Sequence, residues 1–126
     1  MNKMGFGFQR IPTLSSGDVD FDKLIPIVDR YMELGGTFYD TAYMYLDGKS
    51  EEALKKCVVE RYPRDAYQIQ DKFPLYTIKD PSEFDSYLQL QLGRCGLDYF
   101  DSFLLHWMND EIYQKALNMY AFEYMR

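Results

Sequence analysis

The spacing of apolar residues changes repeatedly along this chain, and each change marks an element. Met4 to Phe8 is a short apolar stretch that reads as a strand, and Ile11 to Val19, with Pro12, two serines and Gly17, reads as a loop. From Asp20 to Leu34 the apolar residues Leu24, Ile27, Val28, Tyr31 and Leu34 recur every three or four positions, and Gly35-Gly36 ends the run as a helix C-terminus does. Pro26 falls inside this run, so the helix either begins close to it or bends there. Thr37 to Thr41 is a second short strand, and Ala42 to Lys49 is a loop. Ser50 is the expected N-cap of a second helix, which carries Glu51 and Glu52 in its first turn and runs to about Arg61, before Pro63.

The pattern then repeats. Ala66 to Lys72 alternates as a strand, with Gln68, Gln70 and Lys72 on one face and Tyr67, Ile69 and Asp71 on the other. Asp80-Pro81-Ser82-Glu83 is a capping box with a proline at the first helical position, and Phe84, Tyr87, Leu88, Leu92 and Cys95 form the apolar stripe of the helix that follows, up to Gly96. Tyr99 to His106 is apolar on both faces apart from Asp101 and Ser102, with Phe100, Ser102, Leu104 and His106 on one side. Asn109-Asp110 can cap a last helix bearing Ile112, Ala116, Leu117, Tyr120 and Tyr124 on one side.

Four strand–helix units in succession predict an α/β fold with a parallel sheet and right-handed crossovers, either an open doubly wound sheet or part of a (β/α)8 TIM barrel. The first turn, GFGFQRIP, lacks the GxGxxG that seats a pyrophosphate on a helix N-terminus, which favours the barrel. A complete barrel needs about 250 residues. The chain has 126, so the expectation is one incomplete unit over residues 1–126, a (β/α)4 half-barrel.

Composition narrows the function. A chain with 47% hydrophobic and 17% aromatic residues can bury one ordinary core. Its net charge of -6 argues against an electrostatic grip on nucleic acid or on an anionic membrane. No apolar run is long enough for a membrane span and no secretory segment is evident, so a cytoplasmic location is expected. Cys57 and Cys95 match neither a redox pair nor a zinc ligand set and read as inert small hydrophobes; no metal site is expected.

Three of the expected strands end in residues that carry chemistry: Asp40, Lys72 and His106, with Tyr45 five residues after Asp40. In a parallel sheet the carboxyl ends of the strands are where ligands bind, so all four side chains gather at one rim. An acid, a phenol, an ammonium and an imidazole there suggest proton transfer to a carbonyl. Each has a plainer reading alone: Asp40 as a turn cap, Tyr45 as a packing aromatic, Lys72 as a solvated cation, and His106 beside Trp107 as a core histidine.

GGTFYDTAYMYLDGKSEE, a lysine closing the third strand and DYFDSFLLHW closing the fourth together resemble the N-terminal half of an aldo-keto reductase, in wording closest to the bacterial members often described as predicted oxidoreductases. The resemblance covers nearly the whole chain. It implies NAD(P)H-dependent reduction of aldehydes or ketones to alcohols, with NADPH or NADH as cofactor and a small carbonyl compound as substrate. It assigns catalysis to Asp40, Tyr45, Lys72 and His106. Tyr45 would be the general acid, helped by the positive charge of Lys72; Asp40 would hold Lys72, and His106 would orient the substrate oxygen. Gln9 and Arg10 after the first strand, with Asp40, stand where the family meets its cofactor, and Tyr43, Phe73 and Trp107 would either line the substrate pocket or simply pack. Asp71 departs from the family pattern, which commonly has a small hydroxyl residue before the lysine.

The same resemblance implies that most contacts to the dinucleotide come from later strands, so tight cofactor binding by this chain alone is not expected. Two functions follow. The chain is the acid–base half of a reductase, inactive alone, or it is a truncated, non-catalytic barrel remnant that self-associates or serves as an interaction protein. Two sheet edges left unpaired predict a homodimer or a complementing second half-barrel.

Overall fold

The computed structural model describes residues 4–126. Strands β1 (Phe6–Gly7), β2 (Phe38–Asp40), β3 (Gln68–Phe73) and β4 (Ser102–Leu105) lie side by side in chain order, every neighbouring pair parallel. Helices separate them: α1 (Phe21–Glu33), α2 (Lys49–Leu54) and α3 (Phe84–Cys95), with α4 (Asp110–Asn118) and α5 (Ala121–Tyr124) following β4. The fold is the α/β half-barrel that the alternation predicted. The strands are shorter than the apolar runs suggested: β1 occupies two residues of Met4–Phe8, and β4 begins at Ser102 instead of Tyr99.

Helix α1 starts where Asp20 accepts a hydrogen bond from the Lys23 backbone N–H at 3.2 Å, and it runs on through Pro26. Leu24, Val28 and Tyr31 are its buried face, whereas Ile27 and Leu34 are exposed. The Tyr31 hydroxyl lies 2.7 Å from the Met4 carbonyl and 3.0 Å from that of Phe38, tying the entry to β1 to the start of β2. This ring also explains Gly36: a Cβ there would lie 2.3 Å from Tyr31 Cζ, so no larger residue fits.

Ser50 is not a helix cap. Gly48, in the left-handed region at φ 86°, precedes α2, and Ser50 sits fully buried inside the helix. Its hydroxyl donates to the Phe8 carbonyl at 2.9 Å and lies 2.8 Å from Thr41 Oγ1; since its one proton is spent on Phe8, Thr41 is the donor in the second bond. A buried hydroxyl that satisfies a strand-end carbonyl has more value here than a cap at an exposed helix start. The chain continues from α2 as a π-helical stretch, Lys55–Val59, that ends two residues short of the expected Arg61. The capping box over Asp80–Glu83 is present: the Asp80 N–H donates to Glu83 Oε1 at 2.8 Å and the Ser82 N–H to Asp80 Oδ1 at 2.9 Å. The last helix is broken at Tyr120 by a left-handed backbone (φ 56°), which leaves Leu117 and Tyr120 exposed instead of continuing a single apolar stripe.

The sheet's helix-facing side is the apolar one. Tyr39, Ile69, Leu24, Val28, Leu54 and Val58 form a larger cluster with Cys57 and Cys95, and Phe73, Phe84, Ile112, Ala116 and Ala121 a smaller one. Burial pushes the Cys57 thiol up to about 11 and the Cys95 thiol higher still, so both are inert packing groups. Stability is thus concentrated behind the sheet, which frees the other face to carry polar groups. Among the described residues, no helix is long and apolar enough to cross a membrane.

Candidate active site

Parallel register brings the polar face into order. Asp40 pairs with Gln70 and Gln70 with Ser102, one residue from each of three adjacent strands, and Lys72 stands two residues further along β3 on the same face. The Lys72 ammonium lies 2.7 Å from each oxygen of Asp40 and 2.8 Å from the Thr41 carbonyl. An ammonium has three protons, and here all three have an acceptor. The side chains of Lys72 and Asp40 keep only 14% and 27% of their surface exposed, so each charge needs the other.

Tyr45 and His106 close over this pair from two loops. Tyr45 begins the turn Tyr45–Gly48, whose next two residues, Leu46 and Asp47, have φ near 51° and 54°. That left-handed kink lays the tyrosine ring 4.7 Å from the Lys72 ammonium and 5.7 Å from the His106 ring, edge to face. His106 follows β4 directly and is held by its backbone N–H to the Phe73 carbonyl at 3.1 Å. Burial, and after it the Lys72 charge, hold its imidazole below the usual histidine range against the pull of Asp40, so the ring is neutral at physiological pH. Trp107, next in the chain, is again left-handed (φ 56°), and its indole stands exposed against Tyr76. A left-handed leucine and tryptophan beside one cleft are costly backbone choices of the kind that collect at functional sites.

The four residues expected to gather at one rim do gather. Tyr45, His106, Gln9, Met44, Leu46 and Trp107 line an open cleft of about 460 Å3, within the size range of small-molecule sites. Other candidates lie elsewhere. Phe73 is fully buried on the helix side among Phe84, Phe103 and Tyr124, as the alternation of β3 requires for a neighbour of Lys72. Tyr43 turns away to pack its ring at a tilt against Tyr87, with Arg94 over its face. Arg10 is exposed and does not line the cleft. Asp101 ties β4 to β3, accepting from the Ile69 N–H at 2.8 Å and from Arg64 at 2.6 Å.

Behind Lys72, on the helix side, is a fully buried carboxyl pair. Asp71 accepts the Lys72 backbone N–H at 2.8 Å, and Glu51 is bound by Arg94 at 3.1 Å and by the Gln91 amide at 3.2 Å. Gln91 also donates to the Lys72 carbonyl at 3.0 Å. Burial, then the neighbouring Glu51, push Asp71 well above the usual carboxylate range. Burial also raises Glu51, against its hydrogen bonds to Asp71, Arg94 and Gln91. We assign the proton to Asp71, which donates it to Glu51, and the charge to Glu51, which has Arg94. The sequence patterns put Gln70 on the face of Lys72 and Ser102 on the face of His106 without marking either as part of the site. Gln91 falls on the same face as the apolar stripe of α3, four residues after Tyr87 and four before Cys95, and that spacing is the signal of burial that its polar side chain conceals.

Comparison with known proteins places this geometry. The model of the aldo/keto reductase family matches residues 3–123, and the chain belongs to that family. It is 29% identical over 119 residues to the norsolorinic acid reductase stcV of Emericella nidulans, and 28% identical over 111 residues to an aldo-keto reductase of Gibberella moniliformis. The alignments take in 84% and 83% of this chain but 30% and 34% of those proteins, so the chain spans about a third of the length of these relatives. Among solved structures it resembles an aldo-keto reductase from Klebsiella pneumoniae in complex with NADPH (TM-score 0.69, 24% identity, 93% of this chain and 40% of that one). It also resembles the thermostable aldo-keto reductase Tm1743 in complex with the inhibitor epalrestat (TM-score 0.69, 25% identity, 93% and 43%).

Proposed function

We propose that residues 1–126 form a single incomplete domain, the acid–base half of a cytoplasmic NAD(P)H-dependent oxidoreductase that reduces aldehydes or ketones to alcohols. The observation that carries this reading is the meeting of Asp40, Lys72, Tyr45 and His106 beside one cleft, with the ammonium 4.7 Å from the tyrosine ring. When a carbonyl is reduced, negative charge develops on its oxygen. Tyr45 donates the proton that neutralises it, the Lys72 cation stabilises the phenolate left behind, and Asp40 fixes the cation. Neutral His106 donates a hydrogen bond to the same oxygen and orients it. Trp107, Met44 and Leu46 supply the apolar wall for a small carbonyl substrate.

NADPH or NADH, when bound, supplies the hydride. Gln9 and Asp40 would face its nicotinamide end; Arg10, exposed beyond Gln9, would contribute only from the rim. The residues that line the cleft, Gln9, Met44, Tyr45, Leu46, His106 and Trp107, include no lysine or arginine to meet a phosphate, so this chain alone does not hold the dinucleotide tightly. NADPH fluorescence titrated with the chain should reveal binding in the millimolar range or none, and a micromolar dissociation constant would overturn that statement. In a polypeptide extended by the remaining strand–helix units, Tyr45→Phe should abolish carbonyl reduction and leave cofactor affinity nearly unchanged; retained turnover would remove Tyr45 as the acid.

A second reading rests on the edges of the sheet. β1 and β4 each pair on one side only among the described residues, and Leu104, on the inner face of β4, is 42% exposed. Such edges recruit further strands. The chain would then be a non-catalytic remnant that pairs with a second copy or a complementing half-barrel, and light scattering decides: monodisperse monomer at working concentration contradicts it.

A further inference from the structure

We propose that Gln70, held by Ser102, is a positioning residue for the Asp40–Lys72 pair, an inference that rests on the site proposed above. The inner layers of such barrels are normally filled with branched aliphatic side chains. Here one cross-strand row reads Asp40, Gln70, Ser102, and the three side chains are joined: Gln70 Nε2 donates to Asp40 Oδ1 at 2.8 Å, and Ser102 Oγ donates to Gln70 Oε1 at 3.1 Å.

The direction of this relay is fixed by chemistry. The Asp40 carboxylate, bonded to an ammonium at 2.7 Å, can only accept, so the amide must turn its NH2 towards β2 and its oxygen towards β4. Ser102 must then donate. A hydroxyl on β4 thereby sets the orientation of an amide on β3, which sets the rotation of a carboxylate on β2, which holds two of the three protons of Lys72. Asp40 Oδ1 carries both the Gln70 and the Lys72 bonds, so removing Gln70 frees the carboxylate to rotate and releases the ammonium from its bidentate grip. A leucine at position 70 would suit the fold and leave Asp40 without its lateral support. Gly7, at the other end of the row, has no neighbour within 4 Å of where a Cβ would be, so β1 offers no replacement.

The test uses the 126-residue chain and reads the ammonium directly. An ammonium whose protons are all hydrogen-bonded exchanges slowly with water and gives a resolved 15N–1H signal; assignment comes from its loss in Lys72→Met. In Gln70→Leu and Gln70→Glu, the Lys72 protons should exchange at least about tenfold faster, the scale expected when a hydrogen bond to a charged group is lost, while backbone amide signals away from the row stay in place. Ser102→Ala should give an intermediate rate and Ser102→Thr should restore the wild-type one, a distinction that packing alone would not produce. Unchanged exchange in Gln70→Leu overturns the proposal and leaves the reading of the site intact. Absence of the signal from the wild-type chain removes the Asp40–Lys72 pair and the proposal together. If Gln70→Leu does not fold, the two Ser102 variants decide, and equal rates in them overturn it.

Discussion

Replacing Asp71 by asparagine should make this protein more stable, and increasingly so as the pH rises. Asp71 is fully buried, one oxygen receives the Lys72 N–H, and its other oxygen has no donor and faces Glu51. Its pKa in the folded chain is raised, by burial first and by Glu51 second. In the unfolded chain it is an ordinary aspartate that loses its proton near pH 4. The favourable contribution of such a group is fully present below its unfolded pKa and is lost as pH rises towards its folded one. Over that window the folded chain keeps a proton the unfolded chain has released, and stability falls by about 1.4 kcal/mol per pH unit. Asparagine keeps the carbonyl that accepts from Lys72, offers an NH2 to Glu51 and has no proton to lose. Glu51 can then ionise freely against Arg94, 3.1 Å away. Lys72 and Arg94 are the cations facing the pair, and Cys95 is the other titratable neighbour.

Urea unfolding of both proteins across the acid-to-neutral range measures the effect. The difference in unfolding free energy should grow in favour of Asp71→Asn, with a slope approaching about 1.4 kcal/mol per pH unit between the unfolded and folded pKa of Asp71. Parallel stability curves would refute the shared proton, because they would mean that Asp71 titrates alike in the folded and unfolded chains.

Ser50→Ala strands the buried Phe8 carbonyl and the Thr41 hydroxyl and should cost about 2 to 4 kcal/mol in urea unfolding; a loss under 1 kcal/mol, the ordinary scale for an exposed cap, would return Ser50 to a capping role. Gly36→Ala forces a methyl into the Tyr31 ring and should lower stability by about 3 kcal/mol or more, with recovery in Gly36→Ala combined with Tyr31→Leu; an additive double mutant would show that the ring is not the obstacle. The His106 imidazole, followed by proton NMR, should titrate below the usual histidine midpoint, and Lys72→Met should move that midpoint up, since it removes the cation and leaves Asp40; no movement would disprove the electrostatic contact.

Alternation and spacing carried a good deal of this structure. The period-two pattern of Ala66–Lys72 correctly split Gln70 and Lys72 from Ile69 and Asp71, and applied one residue further it would have put Phe73 behind the sheet instead of in the pocket. The strand-end positions of Asp40, Lys72 and His106 were legible because a parallel sheet delivers its carboxyl ends to one rim. What local patterns could not supply was tertiary compensation. Ser50 looks like a cap because serine before two glutamates usually is one, and only the unmet carbonyl of Phe8, forty-two residues earlier, explains its burial. Gln91 stands on the buried face of its helix, where spacing alone would have placed it, but only its partners on β3 and α2 explain why that position holds an amide. The break at Tyr120 has no glycine or proline to announce it; the helical period continues through a residue whose backbone does not.

The saturation of Lys72 bears on anything that enters the cleft. With its protons committed to Asp40 and Thr41, the ammonium is a source of potential and not of hydrogen bonds. A bound molecule, or the tyrosine ring itself, experiences its field across several ångströms while remaining unable to draw a proton from it. Recognition here is therefore graded by charge and polarisability, and groups that seek a donor must find it on the residues that line the cleft, Tyr45, His106, Gln9 or Trp107.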